Sequence, residues 1–313
     1  MSGQLDTLVD QGRRRSLLAG GLGGPVPFWY ASVMQSRCCF SAASVGGTLR
    51  MVHSHTIFRV RGTTPYEEVV ATAQKWCDTR ISAREEPRVL DAGSGLRSYV
   101  EFPAHVHVTG VDVSRELLDA NRRLDERIHA DLQDIEIPAR SYDCVVCWEV
   151  LEHLENPMPV VAKLASAVAA NGLLIIGSPN PHSIKGLVTR FTPHAFHIWF
   201  YRRFFNPDAS GEPGAGPYKT FMKSGGGASA VRRAAEEAGL TTVYFAWVES
   251  LMQIALRQRF RITGGIWRFL WRVTHRLSLG WIDADATDYL CIFERRLDFA
   301  ALPLSARRDS LVS

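Results

Sequence analysis

Val89-Leu90-Asp91-Ala92-Gly93-Ser94-Gly95 decides how this chain is read. An apolar run of strand length, Arg88 to Asp91, closes on an acid and turns on two glycines, and the residues after Gly95 are expected to open a helix. A glycine-rich turn at the carboxyl edge of a parallel sheet is where an open α/β sheet binds nucleotides. The dinucleotide fingerprint Gly-x-Gly-x-x-Gly is not met, because Ser98 stands in the third glycine's place. Asp91, just ahead of that turn, would also repel a pyrophosphate.

Downstream, Val106–Val111 reads as a second strand tipped by Asp112, and Ser114 as the cap of a helix over Arg115–Arg123. Tyr142–Trp148 is a third apolar run. A helix is expected over Pro159–Ala170, stopped by Asn171-Gly172, with an apolar strand at Leu173–Gly177. Ala228–Ala238 reads as a helix ended by Gly239, followed by strands at Thr241–Val248 and Thr287–Glu294. Upstream, Val69, Val70, Ala73 and Trp76 lie at helical spacing within Tyr66–Asp78. Strands alternating with helices imply crossover connections, hence a doubly wound α/β fold with a parallel sheet and helices on both faces.

In that fold Asp91 suits a ligand presenting ammonium and sulfonium charge, as S-adenosylmethionine does. Asp112, at the tip of the next strand, can accept hydrogen bonds from both hydroxyls of an adenosyl ribose. Ala130-Asp131-Leu132 supplies a polar–apolar step that could bond an adenine amino group and cover its ring.

Taken together, Val89–Gly95, Val108–Val113, His129–Leu132, Ser141–His153 and Leu173–Pro181 resemble the successive motifs of class I S-adenosylmethionine-dependent methyltransferases, of the ubiquinone-biosynthesis-like group. The similarity runs with gaps from Tyr66 to Arg295. It implies a Rossmann-like, mostly parallel seven-stranded sheet with an antiparallel last strand. By the same resemblance Asp91, Gly93 and Gly95 shape the methionyl pocket, Asp112 binds the ribose, Asp131 with Leu132 faces the adenine, and Trp148 joins the cofactor-binding set. Arg97 departs from the pattern, since the family often has a small residue there.

The acceptor side is less determined. Methyltransferases acting on the amino groups of DNA bases carry Asn/Asp-Pro-Pro-Tyr after the fourth strand; here the chain reads Cys147-Trp148-Glu149-Val150-Leu151-Glu152-His153, so that branch does not apply. Glu149, Glu152 and His153 would share one side of a helical turn. Two carboxylates and an imidazole could hold a divalent metal, but three ligands without a fourth leave the site incomplete, and S-adenosylmethionine is the expected cofactor. The Glu-x-x-Glu-His string resembles that of ubiquinone-biosynthesis and small-RNA O-methyltransferases. His153 is a candidate general base, and Glu149 a candidate catalytic or cofactor-adjacent group. Ser178-Pro179-Asn180-Pro181 reads as a turn. Cys144 and Cys147 sit at odd spacing within a strand, so their thiols should point to opposite faces, as packing groups.

Two insertions interrupt the alternation, 182–217 and 250–281. The first carries His182, His194 and His197 with basic and aromatic residues, and no acid lies between His182 and Phe205. The second has Arg257, Arg259, Arg261, Arg268, Arg272 and Arg276 among aromatics, again without an acid between Glu249 and Asp283. Arg268, Arg272 and Arg276 would line one helical face. Both insertions should emerge near the carboxyl edge, as a lid favouring an anionic, amphiphilic or lipid-like acceptor or as a peripheral membrane contact. The structural alternative is a cover helix with aromatics on the sheet and arginines in water.

The 313 residues, 46% apolar and 22% charged with net charge +4, exclude wholesale disorder. No uninterrupted apolar run is long enough to span a bilayer. Six cysteines are too scattered for a disulfide scaffold, which points to a reducing, cytoplasmic setting. Residues 1–50, with Arg13-Arg14-Arg15 and Cys38-Cys39, read as an extension that is disordered, a targeting segment, or upstream of a start at Met34 or Met51. The methyltransferase domain is expected over 60–298 and a flexible tail over 299–313. The reaction expected is methyl transfer to a small or lipid-like acceptor, at oxygen. The rival readings are an RNA or protein methyltransferase, nucleic acid being the less expected partner, and a non-catalytic adenosyl-binding, membrane-associated protein.

Overall fold

The computed structural model describes residues 58–204, 218–222, 226–282 and 284–296. The expectations for 1–50, for the tail and for most of 205–217 lie outside the described residues. The chain divides into two units, one comprising Arg50–His194 with Lys219–Ser313 and the other Met1–Leu49 with Ala195–Tyr218. In the second unit the described element is the bulk of an aromatic helix, His194–Phe204, in which Phe196, Trp199, Phe200 and Phe204 pack ring against ring.

The first unit is built on a sheet of eight strands: β1 (Phe58–Thr64), β2 (Arg88–Ala92), β3 (His107–Asp112), β4 (Glu126–His129), β5 (Tyr142–Trp148), β6 (Val168–Pro179), β7 (Thr241–Val248) and β8 (Asp288–Glu294). Its order is β1-β7-β8-β6-β5-β2-β3-β4. All pairs are parallel except those of β8, which is antiparallel to both β6 and β7. The expected mostly parallel Rossmann-like architecture with an antiparallel last strand is present, and β1 adds one strand beyond the expected count at the β7 edge. The chain winds outward from β2 through β3 to β4, then returns to β5 and winds the other way. The switch point therefore lies between β2 and β5, and a doubly wound sheet opens its binding crevice at the carboxyl ends of those strands.

Helices α1 (Tyr66–Ile81), α2 (Arg115–Ala120), α3 (Pro157–Ala167), α4 (Ile184–Phe191), α5 (His194–Phe204), α6 (Ala228–Glu237), α7 (Leu251–Arg259) and α8 (Gly264–Leu277) complete the described elements. Glu67 and Glu68 in the first turn of α1 and Arg80 in its last match the helix dipole. The sheet has a core on each face. Val89, Cys144 and Val146 pack with Val69, Val70 and Ala73 of α1 and Leu118 of α2. Leu90, Val145 and Cys147 pack with Val160, Val161 and Leu164 of α3 and Val231 of α6. Cys144 and Cys147 thus lie on opposite faces, as the two-residue side-chain period requires, and burial pushes the Cys147 thiol up. Cys77, Cys144, Cys147 and Cys291 are all free and buried.

Three expected elements differ. The helix after Gly95 does not form; residues 93–106 run as turns and irregular chain. Val100 and Phe102 are buried at alternate positions, and Pro103 disfavours a helical conformation at Phe102. Helix α2 stops at Asn121, whose ψ of 102° leaves the helical region, so Arg123 is free to bond the carbonyls of Phe102, Pro103 and Val106. Helix α3 ends three residues early because Val168 turns extended and pairs with Tyr142 at the start of β6; Asn171, at φ 58°, and Gly172 are absorbed as an irregularity in that strand.

Candidate functional site

Register sets the site. Asp91 of β2 lies opposite Gly110 of β3, so Asp112, two residues further along β3, stands past the strand end beside the Gly93–Gly95 turn. The turn is tied down by backbone: the N–H groups of Gly93 and Ser94 both donate to the Val111 carbonyl, at 2.7 and 3.1 Å. Gly93 has φ +76°, and a Cβ there would meet Val150 Cγ2 at 2.2 Å, so no larger residue fits between the β2 and β5 loops. Gly95 has φ +47°, and a Cβ there would meet nothing within 4 Å; it faces open space. One glycine is demanded by packing and the other leaves a cradle.

Asp91 is 4% exposed, and its Oδ2 is buried without a hydrogen-bond partner. Burial pushes its carboxyl up to about 7, opposed by a hydrogen bond from Ser98 and reinforced by the nearby Asp112 charge. The two acids therefore lie near enough to feel each other's charge. A carboxylate oxygen without a donor, inside protein, is costly unless a ligand supplies one. Asp112 is braced: Oδ2 accepts the Gly95 N–H at 2.9 Å and Oδ1 the Ser114 N–H at 2.8 Å. Each oxygen keeps a further lone pair, enough for two hydroxyls.

Asp131 follows directly, since the Ala130 N–H donates to the Asp112 carbonyl at 3.1 Å. Its Oδ1 accepts the Gln133 N–H at 2.8 Å. Leu132 is buried in the core beneath α3, 4% exposed, so its side chain supports the loop from below. Val113, next to Asp112, is by contrast 66% exposed.

Trp148, at the end of β5, is 8% exposed and stacks on Tyr99, ring centres 5.0 Å apart and 11° between planes. The Tyr99 hydroxyl donates to Glu149 Oε2 at 2.6 Å. Nothing in the sequence singled out Tyr99, which lies in the stretch expected to be helical. Glu149 has φ +53°, and the turn that follows is a short 3-10 helix, Leu151–His153. Glu149 thus falls outside the expected helical turn. Among the described residues no group of three or more His, Cys, Asp or Glu side chains converges as a metal site. The positive φ of Glu149 breaks the helical spacing expected for Glu149, Glu152 and His153.

A family model for the methyltransferase domain matches residues 70–244, over half of the chain. The chain belongs to the class I, S-adenosylmethionine-dependent methyltransferase family. It is 31% identical over 103 residues to a ubiquinone biosynthesis O-methyltransferase of Photobacterium profundum, a match covering 30% of this chain and 44% of the relative. It is 30% identical over 127 residues to the protein of the same name from Aromatoleum aromaticum, covering 37% and 53%. The chain thus spans about half or less of the curated relatives it matches. Among solved structures, the YcgJ protein of Bacillus subtilis is similar at 13% identity and a TM-score of 0.45, covering 74% of this chain and 99% of that one. The N-methyltransferase NodS of Bradyrhizobium japonicum with S-adenosyl-L-homocysteine is similar at 15% identity and a TM-score of 0.40, covering 72% and 86%.

The residues present fit the methyltransferase family's methyl donor: an unpartnered buried carboxylate oxygen for a cation, a braced carboxylate with two lone pairs for a diol, and an open glycine turn between them.

On the acceptor side, Glu152 is buried and its carboxyl is pushed up to about 7 by burial, with the Glu149 charge adding to the rise and His153 opposing it. Its Oε1 lies 3.8 Å from His153 Nε2 and its Oε2 3.4 Å from the Ser178 hydroxyl. The other ring nitrogen, Nδ1, bonds the Lys219 carbonyl at 2.8 Å, which places a proton on Nδ1 and leaves the Nε2 lone pair toward Glu152 when the ring is neutral. Lys185 of α4 pairs with the partly buried Asp288 at 2.9 Å. Trp148, Glu149, Ser178, Asp288 and Tyr289 line one recess. Asp288 is visible in the sequence only as a charge opening an apolar strand, and Lys185 has no distinguishing signal. The expected Ser178–Pro181 turn starts two residues later: Ser178 and Pro179 still belong to β6, paired with Tyr289 and Asp288, and past them Asn180 Nδ2 donates to the Ala286 carbonyl while Asn180 Oδ1 accepts the His182 N–H.

Helices α4 and α7 leave the carboxyl ends of β6 and β7, strands that run in the same direction, so both insertions begin at the binding edge. Of the three insertion histidines, His182 meets Trp281 edge-on at 5.0 Å, joining the two insertions. His197 belongs to the other unit.

Proposed function

We propose that this chain transfers the methyl group of S-adenosylmethionine to a hydroxyl oxygen of a small or lipid-like acceptor. The observation that carries the donor half is the buried, unpartnered Asp91 Oδ2 beside the braced Asp112. The bound donor supplies a methyl carbon on a positively charged sulfur, which leaves as a neutral thioether when that carbon passes to the acceptor oxygen. Asp91 accepts from the donor's ammonium, Asp112 from its ribose hydroxyls and Asp131 from its adenine amino group, while Val113 covers the adenine face. Trp148, held by Tyr99, walls the crevice toward the acceptor. His153 takes the acceptor's proton on Nε2, and Glu152, 3.8 Å away, steadies the charged ring. Glu149, anchored by Tyr99, orients the acceptor at the recess it lines with Asp288.

Oxygen is preferred on two supports, the Glu149-x-x-Glu152-His153 string and its likeness to relatives named O-methyltransferases. The test is mass spectrometry of a cell extract incubated with the full chain and isotopically labelled methyl donor. A labelled methyl ether on a small or lipid-like product is expected, strongly reduced with His153→Ala. Label found on nitrogen, carbon or a macromolecule contradicts the reading.

A further inference from the structure

Helix α8 presents three faces. Trp267 turns toward the protein, its Nε1 donating to Asp285 Oδ1 at 2.6 Å and the Arg257 guanidinium lying 4.4 Å over its ring, and Trp271 beside it stacks on His275. Ile266, Phe269, Leu270, Val273 and Leu277 recur at three and four residues and fall within one arc of about 100°. Every one of them is exposed, Phe269 by 62% and Leu277 by 82%. Arg268, Arg272 and Arg276 form the row between, all exposed. Beyond the helix, Leu279 is 95% exposed and Trp281 61%.

Helix α4 repeats the design on a smaller scale. Ile184, Val188 and Phe191, spaced four and three apart, are exposed, Phe191 by 75%, with Arg190 among them. The His182–Trp281 ring contact ties the start of α4 to the end of α8. Two helices rooted at the binding edge of one unit thus both turn apolar stripes outward, and no acid occurs between Glu249 and Asp283.

We propose that the outward apolar stripes of α8 and α4 seat this chain on an anionic phospholipid surface. An apolar arc beside a row of arginines, on a helix anchored to the protein by its third face, matches a helix lying in the plane of a bilayer interface. Aliphatic and phenyl groups enter the acyl boundary, while Arg268, Arg272 and Arg276 meet lipid phosphates. Charge decides against a second copy as the occupant, since a two-fold pairing would bring the same unrelieved arginine row face to face. No helix of the described residues is long and apolar enough to cross a membrane, so the contact is a surface one. The inference does not rest on the acceptor reading, because it is read by binding without turnover.

The test is co-sedimentation of the full chain with vesicles of phosphatidylcholine alone and of phosphatidylcholine mixed with phosphatidylglycerol, at low and high salt. Binding is expected only to the anionic vesicles, falling as salt rises. The triple change Arg268→Gln, Arg272→Gln, Arg276→Gln should weaken it about 100-fold, from the contribution of three surface arginines. Phe269→Asp with Leu277→Asp should abolish it, with donor affinity and circular dichroism unchanged as evidence of folding. Equal binding to both vesicles, binding unchanged in either variant, or a dimer by light scattering that Leu277→Asp splits would each overturn the proposal.

Discussion

Asp91 and Leu277 are opposite kinds of misfit in this molecule. One is an acid 4% exposed, the other a leucine 82% exposed, and each sits where its own solvation disfavours it. At the β2–β3 edge the misfit is a buried oxygen without a donor; on α8 it is an apolar row without a cover. A residue held against its preference by a rigid scaffold points to a partner, and the sign of the misfit names the partner's chemistry. Buried negative charge calls for a cation with hydrogen-bond donors, and an exposed apolar stripe beside arginines calls for an anionic amphiphilic surface.

The comparison breaks most directly at the reacting groups. His153→Ala is expected to lower kcat by roughly 10²–10⁴-fold with donor affinity intact, measured by single-turnover methyl transfer. Loss of both together would mean that the imidazole is only a prop for the 218–222 loop. Asp112→Ala removes a charged acceptor from the ribose and strands the N–H groups of Gly95 and Ser114. A donor affinity lower by about 100-fold is expected, from two charge-assisted hydrogen bonds. Gly93→Ala forces a Cβ against Val150 at a positive φ, and urea unfolding should show a loss of about 1–3 kcal/mol.

The buried acids also give a pH signature. Asp91 and Glu152 have folded-state pKa values raised to about 7 from ordinary carboxylate values. The folded protein therefore holds more protons than the unfolded chain between about pH 4 and 7. Their contribution to stability is full below that window and is lost as pH rises through 7. Asp91→Asn should flatten part of this decline, and the donor should restore stability most at pH 8, where Asp91 is ionised. A donor-free melting temperature that rises from pH 5 to pH 8 would contradict the burial account. The smallest effect belongs to the other end of the comparison: Leu277→Asp should leave unfolding stability within about 0.5 kcal/mol.

The sheet and the cofactor's identity were the legible half. Asp91, Gly93, Gly95 and Asp112 occupy strand tips, where the backbone ladder fixes each residue's place to within a position, so spacing along the chain translates directly into spacing across the crevice. Leu132 and Tyr99 show where that translation stops. Leu132 is turned under α3 by its loop, and Tyr99 reaches Glu149 only because Pro103 and the alternate burial of Val100 and Phe102 replace the expected helix with extended chain. Glu149 was misplaced for a related reason: a positive φ at a non-glycine residue leaves no mark in the sequence. In the insertions, periodicity revealed the arginine row of α8, but not which of its faces met the protein. The Trp267–Asp285 and Arg257–Trp267 contacts decide that, and they join residues whose separation carries no pattern.

Calorimetric titration of the full chain with S-adenosylmethionine and, separately, with NAD⁺ puts the electrostatic reading to the proof. Saturable one-to-one heat with the sulfonium donor, at least tenfold weaker after Asp91→Asn and with no heat from the pyrophosphate coenzyme, is the predicted result. Binding of NAD⁺, or no binding of the donor by the folded wild-type chain, would contradict it.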